Sequence, residues 1–181
     1  MNIIIKNYLL YSIAYDNQKN VLCRIKKRML GFGVNHIYDP KNQLRYITKI
    51  YNTKDGVEHI DYRKYQITKV DSDQKDIVGV VDLEYMELID GDREKEFCLR
   101  PPMINKLVLH LSENNHKLKI YLKRDGSCFI KNEKDIMLGS IKKLKRNFII
   151  DMNIDTLDEY LLCAIYKLTR YLDRENEFVL V

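Results

Sequence analysis

The dominant pattern along the chain is an alternation of apolar and polar residues with period two. Leu118, Ile120 and Leu122 alternate with Lys117, Lys119, Tyr121 and Lys123. Leu107, Leu109 and Leu111 alternate with Val108 and His110, and Val21, Cys23 and Ile25 alternate with Leu22, Arg24 and Lys26. Successive side chains of a strand point to opposite faces, so this period predicts half-buried β-strands. Residues 43–51, 62–70, 76–86, 136–144 and 147–152 read the same way with less purity. Turn signals lie between the runs: Asp16-Asn17-Gln18-Lys19-Asn20, Asp39-Pro40-Lys41-Asn42, Asp71-Ser72-Asp73, Asn114-Asn115 and Arg124-Asp125-Gly126. Such residues close turns through local side-chain bonds or special backbone angles. Short strands with a turn every eight to twelve residues or so predict an antiparallel sandwich or barrel. About a dozen candidate strands favour the barrel, because closure removes exposed edges.

One segment breaks this rhythm. Thr156-Leu157-Asp158-Glu159 reads as a capping box, with Thr156 as the cap and Glu159 reaching back. It predicts a single helix over 156–172. Leu157, Tyr160, Leu161, Ala164, Ile165, Leu168 and Leu172 form one broad apolar stripe, with Glu159, Tyr166 and Arg170 opposite. Residues 177–181 are expected to add a short final strand.

Composition narrows the class. The 181 residues are 45% hydrophobic and 31% charged, which excludes a disordered chain. No apolar run is long enough for a membrane-spanning helix. The first fifteen or so residues lack the n-region, apolar core and cleavage site of a secretory signal. Cys23, Cys98, Cys128 and Cys163 form no C-x-x-C pair, so free thiols in a reducing, cytoplasmic compartment are expected. No linker divides the chain: residues 90–94 and Pro101-Pro102 read as a long connection within a single domain over 1–181.

Charge is segregated. The net charge is +5, but residues 1–51 carry +7, residues 52–104 carry −5, residues 105–151 carry +6 and residues 152–181 carry −3. The basic blocks hold two dense clusters, Arg24-Ile25-Lys26-Lys27-Arg28 and Lys142-Lys143-Leu144-Lys145-Arg146. Clusters of this kind suit phosphate-bearing partners, and they are also what solvated strand faces look like.

Catalytic chemistry finds little to use. G-x-S-x-G, H-E-x-x-H and G-x-x-x-x-G-K-[ST] are all absent. Gly31-Phe32-Gly33 is a lone G-x-G between strands, and Asp71-x-Asp73-x-x-Asp76 lacks the glycine and glutamate of a calcium loop. Asp82 and Glu84 share a strand face, a pairing that acid–base chemistry or simple solvation explains equally. His110 and His116 flank a turn and read as exposed strand-end histidines rather than a metal pair. Neither an enzyme nor a cofactor or metal site is expected.

Three segments carry a resemblance: Val21-Leu22-Cys23-Arg24-Ile25-Lys26-Lys27-Arg28-Met29-Leu30, then Val34-Asn35-His36-Ile37-Tyr38-Asp39, then Leu44-Arg45-Tyr46-Ile47-Thr48-Lys49-Ile50. Together they resemble the opening strands of the LURP-one-related family, relatives of the tubby C-terminal domain and the phospholipid scramblases. The likeness covers residues 8–51 and 117–172. It implies a tubby-like antiparallel barrel of about twelve strands with one C-terminal helix packed in or against it. In that fold the helix is almost wholly apolar, whereas Glu159, Lys167 and Arg170 interrupt it here. These groups must reach the barrel mouth, pair, or face water, because burying an unpaired charge is costly. No lipid-binding motif of the family has a counterpart in this chain. The expected function is a non-catalytic binding module, peripheral at a membrane, holding anionic phospholipid headgroups through Arg24, Lys26, Arg28, Lys143 and Lys145. The alternatives are a protein-interaction or structural module without a lipid ligand, and a nucleic-acid-binding barrel. Against the last stand the near balance of acid and base and the absence of a nucleic-acid motif.

Overall fold

Each alternating run becomes a strand of one closed sheet. A computed structural model describes residues 1–28, 33–52, 63–72, 74–85, 104–112, 116–123, 125–153 and 157–179. The first half contributes β1 (Asn2–Asn7), β2 (Tyr11–Tyr15), β3 (Val21–Lys27), β4 (Asn35–Tyr38), β5 (Leu44–Asn52) and β6 (Arg63–Asp71). The second contributes β7 (Gln74–Tyr85), β8 (Ile104–Leu111), β9 (Lys117–Leu122), β10 (Cys128–Asn132), β11 (Met137–Leu144) and β12 (Asn147–Met152), followed by α1 (Glu159–Val179). Every strand pairs antiparallel with its sequence neighbours, and β12 pairs with β1 to close the barrel. Closure is fastened at the ends of the chain path, where the Met1 amine donates to the Met152 carbonyl at 2.6 Å.

The alternation sorts the wall into two faces. Ile3 and Ile5, Cys23 and Ile25, Tyr65 and Ile67, Leu107 and Leu109, and Ile130 and Ile141 point inward and are buried. Their described neighbours on the same strands, such as Ile4, Arg24, Gln66, Val108 and Lys142, point outward and are exposed or half-buried. The barrel is filled by α1. Six consecutive residues, Leu161 to Tyr166, are buried. At about 100° per residue they sweep the full circumference of the helix. A helix buried all round has to be enclosed, and the wall of β-strands encloses it.

Several expectations about the helix are corrected. It begins later, because Asp158 is its cap: one carboxylate oxygen accepts the amides of Tyr160 at 2.7 Å and Leu161 at 3.0 Å. Thr156 lies outside the described residues. The helix also continues past Leu172 to Val179, so residues 177–179 are helical and no final strand forms there. Tyr166, placed on the polar side by periodicity, is buried, and its hydroxyl donates to Asn7 Oδ1 at 3.0 Å. Arg170, expected to reach the barrel mouth, pair or face water, pairs. Its guanidinium donates to the Gly126 carbonyl and to Asp173 at 2.9 Å, and lies 4.4 Å from the Phe148 ring centroid. Along its buried turns Tyr166 and Arg170 take partners from Asn7, Gly126 and Asp173, while the buried Arg170 Nε has none among the described residues.

Candidate functional site

An antiparallel meander sends all odd-numbered strands one way. β3 and β11 are both odd, so their C-terminal ends emerge at the same rim. Between them lie β12, β1 and β2. The two segments are thus four strand spacings apart, roughly 19 Å along the wall. Register makes the alignment explicit: Leu144 faces Asn147, Asn147 faces Lys6, Lys6 faces Ile13, and Ile13 faces Arg24. The basic cluster of β3 starts at this row and runs on toward the rim, whereas that of β11 straddles it, with Lys142 and Lys143 before Leu144 and Lys145 and Arg146 in the turn beyond.

The sequence-predicted residues occupy different parts of that end. Arg24 is half-buried on the outer wall, opposite Tyr38 of β4. Lys26 is exposed one step nearer the rim, with its ammonium 5.0 Å from the Tyr38 ring centroid. Lys27 and Arg28 are exposed at the end of β3. On β11 Ile141 faces inward, so Lys143, two residues on, turns toward the barrel mouth, while Lys142 and Leu144 face outward. Lys145 sits at the corner of the β11–β12 turn with φ +56° beside exposed Arg146. The structure therefore brings the two clusters to one end of the barrel without setting them on one face. Among the described residues no ion pair neutralises these lysines and arginines. Their positive field reaches His36, opposite Lys26 on β4. Its pKa is lowered first by burial and then by Arg28 and Lys75.

Sequence reasoning missed what lies between the clusters. Lys6 adds an exposed cation to the shared row. Beyond it the β1–β2 turn presents four consecutive exposed apolar or aromatic residues: Tyr8, Leu9, Leu10 and Tyr11, with Leu9 97% exposed. Leu144 on β11 is exposed as well. The turn is firmly held at its base. Asn7 Oδ1 accepts from Ser12 Oγ at 2.7 Å and from the Tyr166 hydroxyl, and Asn7 Nδ2 donates to the Arg146 carbonyl at 3.4 Å. Across the turn the amide of Tyr8 donates to the Tyr11 carbonyl at 2.9 Å and the two rings stack 4.7 Å apart. The run Tyr8–Tyr11 was the available signal: exposed turns rarely consist of apolar residues alone.

Elsewhere the chemistry is sparse. His110 pairs with Asp82 at 2.8 Å rather than with His116, and no cluster of metal-ligating side chains exists among the described residues. The side chain of Glu84 lies outside them, as do residues 31–32, Asp73 and Cys98. Gly33 has φ +74°, as expected of a turn glycine. At the opposite rim a cavity of about 640 Å³ lies over the start of α1, bounded by Tyr46, Leu111, Lys117, Leu138 and Leu161. None of the sequence-predicted basic residues lines it. The Tyr46 hydroxyl donates there to the capping carboxylate of Asp158. No helix among the described residues is long and apolar enough to cross a membrane.

No protein-family model matches the chain, and no curated protein matches it. The X-ray structure of the Arabidopsis thaliana protein AT5G01750 is similar in fold, with a TM-score of 0.60 over 96% of this chain and 91% of that one, at 13% sequence identity. At that identity the likeness is one of barrel architecture alone.

Proposed function

We propose that this chain is a non-catalytic binding module of the LURP-one-related type, and that its ligand is the phosphate-bearing headgroup layer of anionic phospholipids. The observation that carries the reading is the arrival of both basic clusters at one rim of the barrel, with Lys6 between them. Cations grouped at one end of a rigid body act together on an extended anionic surface, which a set scattered around the wall does not. The closed barrel with an enclosed helix is also the architecture that the family resemblance implies.

The test is co-sedimentation with vesicles of phosphatidylcholine containing phosphatidylserine or a phosphoinositide, at low and high salt. A variant with Lys26, Arg28, Lys143 and Lys145 all changed to Ser serves as the comparison. All four side chains are exposed, so the variant keeps the fold. At about 1 kcal/mol per cation near an anionic surface, its binding falls by roughly a thousandfold. Wild-type binding weakens steeply with salt, because exposed charges are screened beyond about 8 Å at physiological ionic strength. Wild type bound no better than the folded variant overturns the lipid reading and leaves a protein-interaction module in its place.

A further inference from the structure

The β1–β2 turn is peculiar on physical grounds. Two-residue hairpin corners are ordinarily Asn, Asp or Gly, which supply the backbone angles a tight reversal needs. Here both corner positions are leucine, and neither has a positive φ. Leu9 and Leu10 do not help the core, being 97% and 59% exposed. Single exposed apolar residues are unremarkable, but four in succession at a protruding tip form a patch that calls for a partner. What flanks the patch indicates the partner's chemistry. Lys6 lies at its base, Lys26, Lys27 and Arg28 lie on one side, and Lys142, Lys143, Lys145 and Arg146 lie on the other.

We propose that Tyr8-Leu9-Leu10-Tyr11 is an interfacial wedge that enters an anionic bilayer while the surrounding cations hold lipid phosphates. The inference rests on the headgroup reading above and adds apolar insertion to it. The geometry fits a shallow insertion. The corner lies two residues beyond Asn7, the last paired residue of β1, a reach of about 7 Å. Interfacial elements bury their apolar side by roughly 5–10 Å, at the boundary of headgroups and acyl chains. Tyr8 and Tyr11, stacked at the base of the tip, stand where aromatic rings with a polar end are favoured, at headgroup level. Asn7 fixes the tip to α1 through Tyr166 and to the β11–β12 turn through the Arg146 carbonyl, so the wedge is presented on a rigid base.

The chain contains no tryptophan, so Leu9→Trp installs a single fluorescent reporter at the tip without disturbing any buried contact. With vesicles containing phosphatidylserine its emission shifts to the blue and is quenched by phospholipids brominated on the acyl chain. Pure phosphatidylcholine at physiological salt gives neither effect. A second variant, Leu9→Ser with Leu10→Ser, loses the binding that survives at high salt, by roughly tenfold or more for each leucine inserted. Wild type that sediments with vesicles while the tip tryptophan keeps its aqueous emission overturns the wedge and leaves headgroup docking standing. Unchanged high-salt binding by the double serine variant overturns it too. Absence of wild-type sedimentation at any salt removes both readings together.

Discussion

At the scale of single residues, the interior chemistry is that of a sealed core. Cys128 on β10 is buried beside the Arg170 guanidinium, with its sulfur 3.7 Å from Nη2. Burial pushes the thiol from its usual 9.0 up to about 11, outweighing the opposing influence of Arg170 and Thr169. Cys163 on α1 is raised in the same direction, first by its hydrogen bond with Cys23 and then by burial. A group whose folded pKa is raised binds its proton more tightly in the native state. Its contribution to stability is therefore intact below the unfolded pKa and is lost as pH rises through the folded one. For Cys128 that window runs from 9.0 to about 11. Denaturant melts across this range show stability declining, and Cys128→Ala shows a shallower decline, with Cys163 still contributing. An identical pH slope in the variant would contradict the assignment. At neutral pH a water-soluble thiol reagent leaves Cys23, Cys128 and Cys163 unmodified until the protein unfolds, because all three are buried.

At the scale of the element, α1 is a plug rather than a docked surface helix. Leu168 is 3% exposed, and Leu168→Ala costs on the order of 2–5 kcal/mol, the range for a buried leucine. Periodicity alone predicts a minor cost at Arg170, on the side opposite the apolar stripe. Enclosure reverses that expectation. The Arg170 side chain is only 13% exposed, and its removal strips partners from the Gly126 carbonyl and the Asp173 carboxylate. Arg170→Ala therefore costs on the order of 2–4 kcal/mol, comparable to the leucine, because buried polar partners are left behind. Urea denaturation of both variants decides the matter. A loss of less than about 0.5 kcal/mol for Arg170→Ala is the signature of a surface residue and would refute enclosure.

At the scale of the whole molecule, wall and plug depend on each other. The inward faces of the twelve strands meet mainly the side chains of α1 and one another across a closed circle. A chain ending at Met152 keeps every strand but leaves the interior without its filling. It is expected to lose its cooperative thermal transition and to bind a hydrophobic dye, as compact states with disrupted packing do. A sharp melt in that truncated chain would show that the sheet supports itself. The same wholeness governs the candidate site. Lys26 and Lys143 come to one rim only because three strands separate β3 from β11, an odd number that leaves the two pointing the same way. One strand more or fewer between them would send the clusters to opposite ends.

Local order in this protein was legible in the residues themselves. Period-two alternation marked several strands closely, as at β9 and β12, because a half-buried strand must show one apolar face whatever it packs against. The capping box read over Thr156 to Glu159 located the helix start to within a few residues, although the cap is Asp158 and not Thr156. The basic clusters were visible as runs of Lys and Arg. Closure of β12 onto β1 is a pairing between the two ends of the strand series, and no local pattern encodes it. Enclosure of α1 was suggested by the family resemblance but was not legible in the periodicity of the helix. An apolar stripe reports one packed side, whereas Tyr166 and Arg170 are held by Asn7 and Gly126, wall residues distant in sequence. The leucines at the β1–β2 corner became meaningful only once the wall set basic clusters on both sides of them. Alternation and capping act between near neighbours in the chain. Which charges share a rim, and which polar groups find partners inside, depends on contacts between distant residues, and only the folded barrel decides them.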